Sequence, residues 1–100
     1  MNTMISVEPS RLEDTATKVE TLDGDYQRLF QSLYGEVDKL AGNWGGKDNI
    51  AFNSRIHSYE DDFRQISIIM RQYAAFLRAS ARAYREVQDE LANAANRLKV

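Results

Sequence analysis

Ala41-Gly42-Asn43-Trp44-Gly45-Gly46-Lys47-Asp48-Asn49 is the one stretch of the 100-residue chain that reads as a turn, and it holds three of the five glycines and the single tryptophan. Glycine lacks a Cβ, so Gly45 and Gly46 can take the positive φ that a reversal needs, while the Trp44 indole is suited to closing the end of an apolar seam. The segments on either side then decide the fold. The one proline is Pro9, where a missing N–H costs nothing if a helix starts there, and Glu8, Glu13 and Asp14 place negative charge near the positive end of that helix. Downstream of it, helix formers dominate and no strong breaker remains.

Before the turn, apolar residues fall at Leu12, Ala16, Val19, Leu22, Tyr26, Leu29, Leu33, Val37 and Leu40, eight steps over 28 residues, an average of 3.5. This is the coiled-coil period, and it predicts a first helix over 9–41. After the turn at 42–48, Phe52, Ile56, Tyr59, Phe63, Ile66, Met70, Tyr73, Leu77, Ser80, Tyr84, Val87, Leu91, Ala94 and Leu98 alternate steps of four and three. These predict one continuous helix over 49–98, about 75 Å long at ~1.5 Å per residue. A short link between two long helices gives an antiparallel hairpin. The length mismatch leaves the second helix without a partner from its own chain beyond about Tyr84.

The fold class expected is therefore all-α, a two-helix hairpin. A hairpin buries only one seam, and a chain with no cysteine cannot add a disulfide, so the missing stability has to come from a partner. With Tyr59, Ile66 and Tyr73 taken as heptad d positions and Ile56, Phe63, Met70 and Leu77 as a positions, Ile69 and Phe76 fall at g and the small Ser67, Ala74 and Ala81 at e. Phe30 and Tyr34 similarly widen the stripe of the first helix. Two hairpins are expected to pair into a dimeric four-helix bundle with Phe30, Tyr34, Ile69 and Phe76 near the dimer centre.

Composition excludes several chemistries. Without cysteine there is no zinc finger and no thiol catalysis, and His57 alone cannot build the paired-histidine sites of most metal enzymes. Gly45-Gly46-Lys47 lacks the upstream glycine, the following hydroxyl residue and the strand of a phosphate loop. Glu60-Asp61-Asp62 points its carboxylates in different directions on a helix, so no metal site is expected there. No enzyme activity, cofactor, metal or small-molecule substrate is expected. Net charge is −2, and the arginines that recur every seven residues, Arg64, Arg71, Arg78 and Arg85, have no interleaved aromatics, so nucleic acid is not expected as a partner. That stripe reads as a solvated face paired with acids of the first helix, or as a docking edge for an acidic protein. His57 lies in line with it and reads as a surface histidine. No apolar run reaches membrane-spanning length, and Met1–Glu8 has neither the basic nor the apolar region of a cleavable signal.

Length, central motif and flanking helices together make the chain resemble the WXG family, small helical hairpins exported by the type VII secretion system, to which the early secreted antigens belong. Trp44-Gly45-Gly46 matches its Trp-x-Gly motif. The resemblance implies a homodimer, or a heterodimer with a related WXG-type protein, made in the cytoplasm and secreted by a membrane ATPase-driven machine without a cleavable signal peptide. It also implies an export signal combining the turn of one subunit with a C-terminal Tyr-x-x-x-Asp/Glu of the other. Tyr84 opens the nearest match, but Gln88 stands where the acid belongs and Asp89 follows one place late. Glutamine weakens any pairing with a receptor arginine. An alternative is an intracellular adaptor or chaperone whose larger helical partner, such as a secreted toxin, carries the signal.

Overall fold

A computed structural model describes residues 8–43 and 45–98. The chain forms three helices, α1 (Pro9–Asn43), α2 (Lys47–Ser58) and α3 (Glu60–Leu98), folded into an elongated hairpin of 84 × 23 × 20 Å. Pro9 opens α1, and the Glu8 carbonyl accepts from Arg11 N–H at 3.0 Å. Among the described residues Gly46 alone has a positive φ, 108°, so it carries the reversal. Both helices run two residues further into the turn than the sequence pattern indicates. Trp44 lies outside the described residues.

The long helix expected over 49–98 is divided at Tyr59, whose φ of −86° and ψ of −6° keep the chain nearly helical. Two features explain the division. Ser58 Oγ donates to the Arg55 carbonyl at 2.5 Å, a local bond that competes with the backbone ladder. Immediately afterwards Glu60, Asp61 and Asp62 supply three acids to the first turn of α3, where the helix dipole favours negative charge. The acidic run is thus a helix start.

α1 and α3 hold each other along one seam that changes character along its length. Near the turn it is aromatic: Phe30 stacks on Phe63 with centroids 5.6 Å apart, and Tyr34 meets Phe30 edge-on at 5.4 Å. In the middle it is polar, with Asp23 and Ser67 both buried. Toward the free end it narrows to Ala16, Ala74 and Leu77, flanked by Leu12 and Val19. Beyond Ala81 every described residue is exposed except the half-buried Ala94, so the unpartnered tail expected from the length mismatch is present.

The seam does not use the residues with the strongest apolar periodicity. On α3 the a series (Phe63, Met70, Leu77) faces inward as expected, but its companions are the small e residues Ser67, Ala74 and Ala81, while Tyr59, Ile66 and Tyr73 are exposed. On α1 the stripe turns by about one residue after Val19. Asp23, Phe30 and Tyr34 enter the seam, and Leu22, Leu29, Leu33 and Leu40 are left in solvent. At the Ala16, Ala74 and Ala81 layer small side chains let the two helices approach closely, and the bulky Tyr73 and Phe76 at that level lie on a second face. Filling the alanine layer therefore costs stability. Ala74→Leu is expected to lower the unfolding free energy by about 1–3 kcal/mol through overpacking, whereas Ala79→Leu on the exposed face stays within about 0.5 kcal/mol, both read by chemical denaturation.

Candidate protein interface

The two long edges of the seam differ in chemistry. Along one edge α3 presents Arg64, Arg71, Arg78 and Arg85, one every two turns, and each finds an acid in its own chain. Arg78 donates to Glu20 and, at 3.1 Å, to Thr17 Oγ1. Arg85 pairs with Glu13. Arg71 lies 3.8 Å from Asp23, and Arg64 pairs within α3 with Glu60 at 3.2 Å and Asp61 at 3.8 Å. The Arg85 and Arg78 hydrogen bonds hold the Glu13 and Glu20 carboxyls below the usual carboxylate range. Of the two readings of the stripe, the structure has the form of a face paired with acids of the chain itself.

His57 joins that edge at the turn end. Its Nε2 lies 2.9 Å from Asp38 Oδ1 of α1, its Nδ1 contacts Glu60 of α3, and its ring packs on Tyr34 with centroids 5.1 Å apart. One imidazole on α2 thereby ties together all three helices. A neutral ring has one N–H, so two flanking carboxylates are satisfied only by the imidazolium. The Glu60 bond first and the Asp38 bond second raise the His57 pKa above its ordinary value. Tyr34 adds a second tie: its hydroxyl donates at 2.6 Å to the Ile56 carbonyl, which also accepts from Tyr59 N–H at 3.2 Å at the end of α2.

Among the described residues the other edge carries no ion pair between helices; Glu36, at the rim of its groove, pairs with Lys39 inside α1. Leu22, Leu29, Leu33 and Leu40 of α1 and Ile66, Ile69, Tyr73 and Phe76 of α3 are all exposed, Leu29 to 72% and Phe76 to 64%. A groove of about 350 Å³ opens there between Tyr26, Leu29, Phe30, Leu33 and Phe63. So large a contiguous apolar surface on a chain of this size marks an interaction site. Of the four residues assigned to the dimer centre, Ile69 and Phe76 lie on this face. Tyr34 does not: it is 7% exposed, buried inside its own hairpin with its hydroxyl bonded to Ile56. Phe30 is half-buried, packed on Phe63 with one side lining the groove. The apolar character of both is legible in the sequence; the turning of the stripe is not.

Sequence reasoning also missed the buried polar cluster. Asp23 Oδ1 accepts from Ser67 Oγ at 2.5 Å, and its Oδ2 accepts from Gln27 Nε2 at 2.8 Å. A charged residue is ordinarily excluded from a core, yet Asp23 is seven after Ala16, and Ser67 is seven before Ala74. That register was the available signal. Tyr84, Gln88 and Asp89 are exposed on α3 past the buried seam. Among the described residues no group of three metal-ligating side chains could hold an ion, and no helix is long and apolar enough to cross a membrane.

The chain is thus a helical hairpin with one edge closed by ion pairs between its helices and the other exposed and largely apolar. The chain belongs to the WXG100 family, described as proteins of 100 residues with WXG, whose model matches residues 4–90. No curated protein sequence matches it. Similar folds are those of Geobacillus thermodenitrificans EsxA, with a TM-score of 0.77 and 20% identity over 92% of this chain and 99% of that one, and of the secreted protein EsxB from Bacillus anthracis str. Sterne, with a TM-score of 0.75 and 22% identity over 87% and 99%.

The three-helix tie yields a pH prediction with a defined sign. A pKa raised in the folded state contributes stability that is fully present below the unfolded value, about 6.5, and is lost as pH rises through the folded value. His57→Gln is expected to lower Tm most near pH 6, with the gap to the parent closing at alkaline pH. Thermal melts of both proteins across this range would show it, and a gap independent of pH would exclude the charged clamp.

Proposed function

We propose that this protein is a non-enzymatic substrate or co-secreted partner of a type VII secretion system, acting through pairing of its exposed apolar face. The observation that carries the reading is the unburied set Leu29, Leu33, Ile66, Ile69, Tyr73 and Phe76, left outside the hairpin's own seam. A second hairpin laid against that face covers these side chains and completes a four-helix bundle. A second copy of this chain fits, because apolar side chains of both helices lie on one face; a related WXG-type chain is the other candidate. The pair is exported without a cleavable signal, and the membrane ATPase recognises it through the turn of one subunit and the exposed Tyr84–Asp89 segment of the other.

Gln88 supports a second reading, an adaptor that forms a bundle with a larger secreted helical protein. Glutamine keeps the shape of the expected acid without its charge, so the partner would carry the stronger half of the signal.

Two measurements separate these roles. Phe76→Asp is expected to halve the solution mass of the purified protein while retaining helicity, because a charge at the centre of the covered face weakens pairing by roughly 2 kcal/mol or more. An unchanged mass would place the interface elsewhere. In a strain with an active type VII system, truncation after Val87 is expected to leave the protein in the cells. Continued export of the truncated chain alone would refute the tail signal, and export rescued by a co-expressed helical partner would favour the adaptor.

A further inference from the structure

α3 offers two apolar faces, and α1 occupies the one with less apolar surface. The inner face consists of Phe63, Ser67, Met70, Ala74, Leu77 and Ala81; the outer face carries Ile66, Ile69, Tyr73 and Phe76, each at least 47% exposed. α1 is two-faced in the same way, with a leucine stripe at 22, 29, 33 and 40 lying outside the seam. Because hydrophobic stabilisation scales with apolar area removed from water, burial alone favours joining the two bulky faces. Something other than area fixes the choice.

We propose that the Asp23, Gln27 and Ser67 cluster is the determinant of which face of α3 pairs with its own α1, and that it thereby reserves the bulky face for a second chain. The second half of this statement rests on the pairing function proposed above; the first does not.

The cluster is the polar contact buried within the seam. Asp23 is 4% exposed and Ser67 likewise, and the Asp23 carboxylate accepts from both Ser67 Oγ and Gln27 Nε2. Gln27 Nε2 also lies 3.2 Å from Ser67 Oγ, closing the triangle, and Arg71 Nε stands 3.8 Å from Asp23 Oδ2 at the solvent edge. On the inner face the carboxylate thus has a hydroxyl, an amide and a guanidinium around it. Were α1 to lay the same stripe on the outer face, Asp23 would keep Gln27 of its own helix but meet the level of Ile66 and Ile69, which carry no donor, in place of Ser67. A buried carboxylate that loses its cross-helix donor is disfavoured. The cluster therefore penalises the wrong pairing more than it strengthens the right one, as a single polar residue sets register in a coiled coil. Two tyrosine bonds at the turn end, Tyr34 to the Ile56 carbonyl and Tyr26 to the Phe63 carbonyl, point from α1 to backbone acceptors and so carry less information about side-chain identity.

The chain has no cysteine, so an introduced pair can report the pairing directly. Glu20→Cys with Arg78→Cys replaces two side chains that touch across the correct seam. Treated with a short bis-maleimide at low protein concentration, the full chain is expected to give an intrachain crosslink, seen as a compact monomer on a denaturing gel. Adding Asp23→Asn, which keeps an acceptor for Ser67, should leave this unchanged. Adding Asp23→Leu with Ser67→Ala should cut the intrachain product by about threefold or more in favour of interchain or absent crosslinks, with helicity retained. Ser67→Ala alone, which removes one donor and no bulk, should shift the pattern the same way by less, and it serves as the readout if the double variant loses helicity. Crosslinking that stays intrachain at the parent rate in Ser67→Ala and in a helical double variant would overturn the proposal. The crosslink is scored within one chain, so a failure of the pairing reading, seen as an unchanged mass for Phe76→Asp, leaves this result standing.

Discussion

Everything in this protein depends on how α1 and α3 meet. With no disulfide and only one seam, the hairpin can bury one stripe of each helix, and the stripe it buries is narrow, with Ala16, Ala74 and Ala81 fully covered and no large side chain wholly enclosed. Where the seam is built on alanine its close fit leaves the bulky Tyr73 and Phe76 outside. The open apolar face is therefore a direct consequence of the way the core is built.

The seam also sorts the charges. On the edge where α1 carries Glu13, Glu20 and Asp38, the arginines of α3 and His57 of α2 meet acids within the chain. These contacts are exposed, and their main effect is on geometry: they hold the helices in register and keep the charged edge apart from the apolar one. His57 ties α2, the segment that follows the Gly46 reversal, to both long helices. The tail beyond Ala81 has no such support, and this is where the Tyr84–Asp89 segment lies, accessible along its whole length.

Much of the fold was legible in the chain. Pro9, the glycine cluster and the sustained seven-residue repeats gave the hairpin, its turn and its overhanging tail, because each reflects a local backbone preference or a helical period. The inner and outer faces were not legible. Leu22, Leu29 and Leu33 are more apolar than Asp23, Phe30 and Tyr34, and periodicity ranks residues by hydrophobicity, so it chose the leucines. The break at Tyr59 escaped for a related reason: the apolar repeat runs through it without a slip, and only the Ser58 back-bond and the acids that follow mark it. Ile69 and Phe76 lie on the open face, whereas Tyr34 is buried in its own hairpin and the Asp23 cluster has no local signature in the sequence.

The sequence by itself determined that this is an all-helical hairpin of the WXG family, since proline, glycine and period act locally and the motif sits at the reversal. Only the tertiary structure decided which stripe each helix turns inward. That choice depends on the fit of alanine against alanine and on Asp23 finding Ser67, forty-four residues away, in the same buried layer. Neither is a property of any segment taken alone.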